Sequence, residues 1–145
     1  MNTNPPNTTI DDCHVIDIRR YSDNRGYLSV IENDLDVPFE IKRIYYLYLV
    51  PEVARGAHAH KQLHQLLVAT SGSVEVIMDD GRQKKSFMLD KPWKGLLIPP
   101  GLWRDMENFS GGAVLLCVAS EKYDATDYIR DYEEFLAYKC LKDKS

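Results

Sequence analysis

The chain has 145 residues, of which 44% are hydrophobic and 28% charged, and its formal net charge is -4. This length and balance suit one globular domain with its own hydrophobic core. The negative charge excludes the broad basic field by which proteins attract nucleic acids, and no apolar stretch is long enough to span a membrane. An anionic ligand would therefore need a local cluster of Arg and Lys side chains.

The N-terminal ten residues are polar and rich in Pro, Asn and Thr, which predicts a flexible tail over residues 1–10 rather than a signal peptide. Residues 11–145 are expected to form the single domain. The cysteines Cys13, Cys117 and Cys140 are odd in number, far apart and outside any C-x-x-C motif. We therefore expect reduced thiols in a cytoplasmic protein.

Short stretches rich in apolar residues, several of them alternating with polar ones, predict strands along most of the chain. The predicted strands cover residues 13–18, 27–31, 41–50, 65–70, 74–78, 84–89, 93–98, 102–108 and 113–120. From Tyr128 to Lys139 the spacing becomes helical, and Asp127 could cap that helix. Many short strands followed by a terminal helix predict an all-β sandwich or barrel.

A histidine cluster stands out between two of these strands. His58, His60 and His64 fall within seven residues of one another. In a strand they would point the same way, unless the chain bends near Gln62. Because buried imidazoles need partners, three on one face favour a metal site or acid–base chemistry.

The spacing of glycines, prolines and histidines resembles the two motifs of the cupins, which are small jelly-roll barrels. The first motif, G…H-x-H…E…G, is matched by Gly56, His58, His60 and Gly72. The second motif, G…P-x-G…H…N, is matched by Gly95, Pro99, Gly101 and Asn108. We therefore expect an all-β, cupin-type jelly-roll β-barrel with a short C-terminal helix.

Two departures from the cupin motifs bear on metal binding. His64 stands where the glutamate is usual, and Arg104 stands where the last histidine is usual. An arginine stays protonated in a protein, so it cannot ligate a metal and brings a permanent positive charge to the site. We expect no bound metal, although the three clustered histidines could hold zinc.

Five longer stretches resemble the nucleotide-sugar 3,4-ketoisomerases, cupins that act without a metal on dTDP-4-keto-6-deoxy-D-glucose. The matching stretches are residues 23–26, 38–46, 55–61, 95–105 and 119–130. The resemblance implies that the carbonyl moves from C4 to C3, on the route to 3-amino sugars of surface glycans or antibiotics. It also implies a homodimer that exchanges N-terminal strands, and it implies no cofactor.

An imidazole suits such a reaction because its unperturbed pKa of about 6.5 lets it accept and return a proton near neutral pH. We assign His58 as the base, which is also the position that the family uses, and His60 as its partner. Arg104, His64 and the hydroxyl of Tyr45 are candidates for stabilising the charge of an enediolate.

Cationic side chains are candidates for binding the diphosphate, because guanidinium groups hold phosphate oxygens in pairs. The candidates are Arg25, Arg43, Arg55 and Lys61. Each could instead be an ordinary solvated residue of a strand or turn. Trp103 could form a wall of the sugar pocket or simply pack in the core.

The family makes two products, with the C4 hydroxyl in the gluco or the galacto configuration. His64 and Arg104 resemble the gluco-forming type, whereas Arg25 resembles the galacto-forming type. We favour the gluco product because we expect Arg104 to lie closer to the reacting carbons. Two alternatives remain open, namely a metal-dependent cupin enzyme using the three histidines and a non-catalytic sugar-nucleotide sensor.

Overall fold

The structure, a computed structural model, describes residues 5–51 and 55–140. The described chain contains short strands, three 3-10 turns and one α-helix. The strands are β1 (His14–Asp17), β2 (Arg19–Asp23), β3 (Gly26–Val30), β4 (Arg43–Tyr48), β5 (Arg55–His60), β6 (Gln65–Ser71), β7 (Val74–Asp79), β8 (Lys84–Leu89), β9 (Lys94–Ile98), β10 (Trp103–Glu107), β11 (Val114–Ala119) and β12 (Tyr128–Ile129). The helix α1 spans Tyr132–Tyr138, and the 3-10 turns span Pro5–Asn7, Ile10–Asp12 and Ala125–Asp127.

Two antiparallel sheets enclose the main hydrophobic core. Their strand orders are β1-β9-β6-β11-β4 and β12-β5-β10-β7-β8. The core cluster draws residues from both sheets, including Leu67 and Leu115 from one and Val76 and Met106 from the other. This is the expected cupin-type jelly-roll arrangement, in which each strand turns one face to the core. In the described part of the chain, no helix has the length and apolar character needed to cross a bilayer.

The C-terminal helix begins later than the sequence predicts. Tyr128 and Ile129 form β12, which pairs with β5, and α1 follows with Asp131 at its N-cap position. Asp127, predicted to cap the helix, instead lies at the end of a 3-10 turn and directs its carboxylate toward β5. The helical spacing of the apolar residues therefore extended further toward the N-terminus than the helix itself.

The segment from Pro5 to Asp12 packs against the body of the domain, whereas its composition predicts a flexible tail over residues 1–10, of which residues 1–4 lie outside the described residues. The Nζ of Lys139 donates to the main-chain carbonyl oxygens of Thr8, Gly101 and, more weakly, Pro5. Ile10 is buried in the main core. The composition of this segment does not indicate that it is attached, because Lys139 binds its main-chain carbonyl oxygens rather than particular side chains.

Strands β2 and β3 form a separate hairpin that joins neither large sheet. Its residues Tyr21, Tyr27 and Leu28 are 55%, 76% and 58% exposed. The turn between the strands holds Arg25, whose guanidinium pairs with Asp23. An exposed apolar surface of this kind favours contact with another chain.

Candidate active site

A β-bulge sets the direction of the histidines on β5. The register with β10 places Arg104 opposite His58 and Asp105 opposite Gly56, so Ala57 is an extra residue on β5. Gly56 and Ala57 both have positive φ, at 91° and 45°. A side chain at Gly56 would lie 3.0 Å from the carbonyl oxygen of Arg104. Glycine permits this close approach, and the bulge re-aims the side chains that follow it.

His58 and His60 are in direct contact through their Nε2 atoms, which lie 3.1 Å apart. His58 Nδ1 lies 2.6 Å from the carbonyl oxygen of Gly56, and His60 Nδ1 lies 3.1 Å from the carboxylate of Asp127. Because both partners can only accept, each Nδ1 carries a proton. The basic atom of each neutral ring is therefore Nε2.

The two histidines differ in their access to ligands. His60 is fully buried, whereas His58 is partly exposed and lines a cavity of about 210 Å³. Burial lowers the pKa of His58 to about 3, and the nearby Arg104 charge adds to that effect. Burial also lowers the pKa of His60 to about 4, against the opposing influence of Asp127. Both rings are therefore neutral bases at neutral pH, and His58 is the one that a ligand can reach.

Asp127 and Tyr128 hold the histidine pair, although sequence patterns single out neither residue for this role. Tyr128 pairs with His60 in the sheet, and its ring centroid lies 4.4 Å from that of His60 and 5.1 Å from that of His58. Asp127 also accepts from the backbone N–H of Gln62 at 2.7 Å, which fixes the carboxylate. Asp127 and His60 are 67 residues apart in sequence, so no local spacing could have linked them.

The cavity beside His58 combines a base, hydroxyl groups and cations. Its lining residues are Tyr45, Leu47, Arg55, Gly56, His58, Met106, Tyr128 and Arg130. Arg130, which sequence patterns do not select, holds its guanidinium 4.2 Å from the centroid of the Tyr128 ring. The cavity can thus take an anionic ligand near Arg55 and Arg130 and a reacting group near the imidazole.

Arg104 lies behind the cavity wall and is fully buried. Its Nη1 donates to Gln65 Oε1 at 2.7 Å, and its Nη2 donates to the Leu102 carbonyl oxygen at 3.1 Å. Gln65 Nε2 in turn donates to the Tyr45 hydroxyl oxygen at 2.6 Å. Arg104 therefore connects to the cavity through Gln65 and Tyr45 rather than by lining it.

Arg43 places a guanidinium beside the same tyrosine. Its Cζ lies 4.9 Å from the centroid of the Tyr45 ring and 5.5 Å from that of Tyr123. Its Nε and Nη2 are buried and find no hydrogen-bond partner among the described residues. These two N–H groups form the edge by which arginine binds a pair of oxygen atoms. Arg43 therefore has an unsatisfied pair of donors beside Tyr45, although it is not one of the residues that line the cavity.

Four of the predicted site residues lie elsewhere in this chain. Arg25 is at the hairpin turn, with 86% of its side chain exposed. Lys61 is exposed in the bend that follows β5. Trp103 is buried under helix α1, with its ring centroid 5.2 Å from that of Tyr132 and 5.7 Å from that of Phe135. Trp103 therefore packs beneath the helix and does not form a wall of the cavity.

His64 is the fourth, because the bend at residues 61–62 breaks the alternation that would have aligned it with His58. Its ring packs near Phe39, with centroids 6.2 Å apart, and its backbone N–H donates to Ser120. Gln65 points inward instead, on the face of β6 that supplies Leu67 to the main core. Gln65, rather than His64, therefore takes the inward position beside Arg104. Within residues 5–51 and 55–140, no group of three or more His, Cys, Asp and Glu side chains could hold a metal ion.

Comparison with known proteins identifies relatives over nearly the whole chain. Residues 11–140 match the family described as "FdtA: WxcM-like, C-terminal". The TDP-4-oxo-6-deoxy-alpha-D-glucose-3,4-oxoisomerase of Aneurinibacillus thermoaerophilus is 45% identical over 125 residues, which covers 86% of this chain and 90% of that protein.

Two solved structures of 3,4-ketoisomerases share the fold. The WlaRB TDP-quinovose 3,4-ketoisomerase of Campylobacter jejuni is 48% identical, with a TM-score of 0.85 over 88% of this chain and 99% of the other. A histidine-to-asparagine mutant of the 3,4-ketoisomerase QdtA from Thermoanaerobacterium thermosaccharolyticum, in complex with TDP-4-keto-6-deoxyglucose, is 38% identical. It matches with a TM-score of 0.89 over 94% of this chain and 100% of the other. The chain therefore belongs to the FdtA, WxcM-like family of cupin-fold proteins, and the relatives from Aneurinibacillus thermoaerophilus and Campylobacter jejuni are TDP-sugar 3,4-ketoisomerases.

Proposed function

We propose that the protein is a 3,4-ketoisomerase that converts dTDP-4-keto-6-deoxy-D-glucose to the corresponding 3-keto sugar nucleotide. The observation that carries the proposal is the neutral, cavity-facing imidazole of His58, backed by His60 and Asp127. Moving a carbonyl to the neighbouring carbon requires removal of a C–H proton next to the carbonyl. A neutral imidazole in a partly desolvated site is a suitable base for that step.

In the proposed reaction, Nε2 of His58 removes the proton from C3 of the sugar. The electron pair moves into the C3–C4 bond and the charge moves onto the C4 oxygen, which gives an enediolate. The proton of the C3 hydroxyl passes to the C4 oxygen, C4 takes up a proton, and the carbonyl remains at C3. His60 Nε2 lies 3.1 Å from His58 Nε2 and can share the proton that His58 has gained.

The enediolate carries its charge on oxygen, so the site needs hydrogen-bond donors that are already in position. Tyr45 lines the cavity and is linked through Gln65 to the buried charge of Arg104. The Nε–Nη2 edge of Arg43, beside the Tyr45 ring, has no hydrogen-bond partner among the described residues and is suited to bind two adjacent oxygens of the sugar or of the diphosphate. Burial of these groups strengthens their electrostatic interactions, because it excludes water that would screen them.

The diphosphate is assigned to the two guanidinium groups of the cavity, Arg55 and Arg130. Guanidinium groups match phosphate oxygens in geometry and remain charged at every working pH. Arg130 also lies over the ring of Tyr128, which limits its freedom before the ligand binds. No described contact favours Lys61 as a further phosphate ligand, since its side chain lies in an exposed bend.

The proposal includes a homodimer in which each chain places its β2–β3 hairpin against the other. The exposed apolar residues of that hairpin support this arrangement, as do Ile44, Tyr46 and Tyr48 of β4, which are 57%, 59% and 60% exposed. Such an exchange would bring Arg25, which lies outside the cavity of its own chain, to the site of the partner. Free thiols at Cys13, Cys117 and Cys140 suit the reducing cytoplasm, where the sugar nucleotide would be made.

We favour the gluco configuration at C4 of the product. The 48% identity to a TDP-quinovose 3,4-ketoisomerase supports this choice, because quinovose is 6-deoxyglucose. In a gluco product the C4 hydrogen is on the opposite face of the ring from the C3 hydrogen that was removed. A donor other than His58 must then deliver the C4 proton, whereas return of a proton from His58 would give the galacto product.

The decisive experiment is incubation with dTDP-4-keto-6-deoxy-D-glucose in deuterium oxide, followed by NMR. We expect a 3-keto product that carries deuterium at C4, and the coupling constants would give the configuration. An unchanged sugar would overturn the proposal, and binding without turnover would favour a sensor. Metal analysis and an assay after chelation test the metal-dependent alternative, because a metal-dependent enzyme would lose its activity when the metal is removed.

A further inference from the structure

We infer that Gln65 is a positioning residue that directs the hydroxyl proton of Tyr45 into the cavity, so that Tyr45 donates a hydrogen bond to a substrate oxygen. The inference rests on the proposed ketoisomerase function and adds to it a residue that contacts no substrate. It follows from the chain of hydrogen bonds that joins Arg104 to Gln65 and Gln65 to Tyr45.

The orientation of the Gln65 amide is fixed by its neighbour. A guanidinium group has only donors, so the amide atom 2.7 Å from Arg104 Nη1 must be the oxygen. The amide nitrogen then necessarily faces the Tyr45 hydroxyl, 2.6 Å away. An amide flip would place N–H groups against the guanidinium, so Arg104 determines which end of Gln65 meets the tyrosine.

The hydroxyl of Tyr45 must therefore accept from Gln65 and donate its own proton elsewhere. Burial raises the pKa of this phenol above its ordinary value, so the proton stays on the oxygen. Among the described residues, Cys117 is paired with Tyr45 across β4 and β11, and its thiol is a neighbouring acceptor. Burial raises the pKa of Cys117 to about 12, so it remains a thiol and a weak acceptor. An oxygen of a bound sugar would be a better acceptor for the Tyr45 hydroxyl proton than this thiol.

A donor fixed in this way is useful for the proposed reaction. Negative charge develops on the sugar oxygen when the C3 proton leaves, and a donor already in place stabilises that charge without reorganising. The positive charge of Arg104 polarises Gln65, which polarises Tyr45 in turn. A fully buried arginine with no carboxylate partner in the described chain can thus act on the substrate without touching it.

A carboxylate at position 65 would reverse the arrangement. In Gln65→Glu, both side-chain oxygens can only accept, so one would accept from Arg104 and the other from the Tyr45 hydroxyl. The tyrosine proton would then point away from the cavity. Because the new ion pair involves a buried arginine, this variant is expected to fold and to be at least as stable as the parent protein.

The test compares kcat and KM for dTDP-4-keto-6-deoxy-D-glucose in the full chain and in four variants. These are Gln65→Glu, Gln65→Met, Tyr45→Phe and the double variant of Gln65→Glu with Tyr45→Phe. We expect Gln65→Glu and Tyr45→Phe each to lower kcat by about 10²–10³-fold, the usual cost of one lost donor, with little change in KM. The double variant should be no slower than Tyr45→Phe alone, because both substitutions remove the same donor.

The methionine variant distinguishes positioning from a purely structural role. Methionine removes both hydrogen bonds and leaves the tyrosine free to rotate, so we expect a kcat between those of the parent and Gln65→Glu. A structural role predicts the opposite order, with methionine the more damaging change. A lower kcat in Gln65→Met than in Gln65→Glu would overturn the inference, and so would a wild-type kcat in Gln65→Glu. Either result would leave the ketoisomerase function intact. If Gln65→Glu does not fold, a second double variant, Gln65→Met with Tyr45→Phe, replaces the first. A loss of kcat in it equal to the product of the two single losses would also overturn the inference.

Discussion

The Nε2 atoms of His58 and His60 lie 3.1 Å apart, yet neither ring can donate to the other while both are neutral. Each ring has its proton on Nδ1, held by the Gly56 carbonyl in one case and by Asp127 in the other. The contact becomes a hydrogen bond only after one ring gains a proton. It therefore stabilises the state that follows removal of the C3 proton more than the resting state, which is the condition for catalysis.

Replacement of His58 tests its role as the base. We expect His58→Asn to keep the fold and to bind dTDP with similar affinity, but to lower kcat by at least about 10²–10⁴-fold, the usual contribution of a positioned base. His14→Asn is the matched control, because His14 is an exposed residue of β1. Steady-state kinetics and calorimetric titration with dTDP give the two quantities. Full turnover in the His58 variant would remove His58 from the mechanism.

Replacement of Asp127 tests the orientation of His60. In Asp127→Asn an amide N–H can face Nδ1, which would move the His60 proton to Nε2 and oppose proton sharing with His58. We expect kcat to fall on the order of 100-fold while dTDP affinity is kept. Asp124→Asn is the control, since Asp124 accepts from Thr126 on the same 3-10 turn. Equal losses in the two variants would mean that the turn, and not the carboxylate at His60, matters.

The depressed histidine pKa values predict how stability depends on pH. Burial lowers the pKa of His58 to about 3 and that of His60 to about 4, from 6.5 in the unfolded chain. Between pH 6.5 and 4 the unfolded chain therefore binds protons that the folded protein does not, so the free energy of unfolding should fall as pH falls. Urea denaturation across this range should show a shallower fall for His58→Asn. Identical slopes would show that the native pKa of His58 is not depressed.

Mixing two inactive variants tests the exchange of hairpins between subunits. In the proposed dimer, His58 of one chain and Arg25 of the other complete one site. We expect His58→Asn and Arg25→Ala each to be impaired, and activity to return when the two are unfolded and refolded together, because a mixed dimer contains one intact site. Refolding each variant alone supplies the control. Mass spectrometry verifies that mixed dimers have formed. If they are present and activity does not return, the shared site is contradicted.

The sequence predicts the sheets, the cupin-type fold and the His58–His60 pair, because each depends on local alternation or motif spacing. His64 departs from its predicted position because the bend after β5 resets the alternation, and Gln65 takes the inward position. Trp103 was ambiguous because an alternating strand has two buried faces when a helix covers its outer side. Asp127 could not be found by spacing, since only the pairing of β12 with β5 brings it to His60.

The extra residue in β5 has a consequence for the spacing of charge along that strand. In a regular strand, residues an odd number of positions apart face opposite sides, so Arg55 and His58 could not both line the cavity. With Ala57 unpaired in the bulge, both do. Deleting Ala57 would leave Arg55 and His58 two positions apart and on the same face, whereas regular pairing with Ala57 kept in the strand would put Arg55 on the face opposite His58 and His60. Loss of the bulge, with every residue kept, would thus separate the proton-transfer chemistry from a cation assigned to the diphosphate.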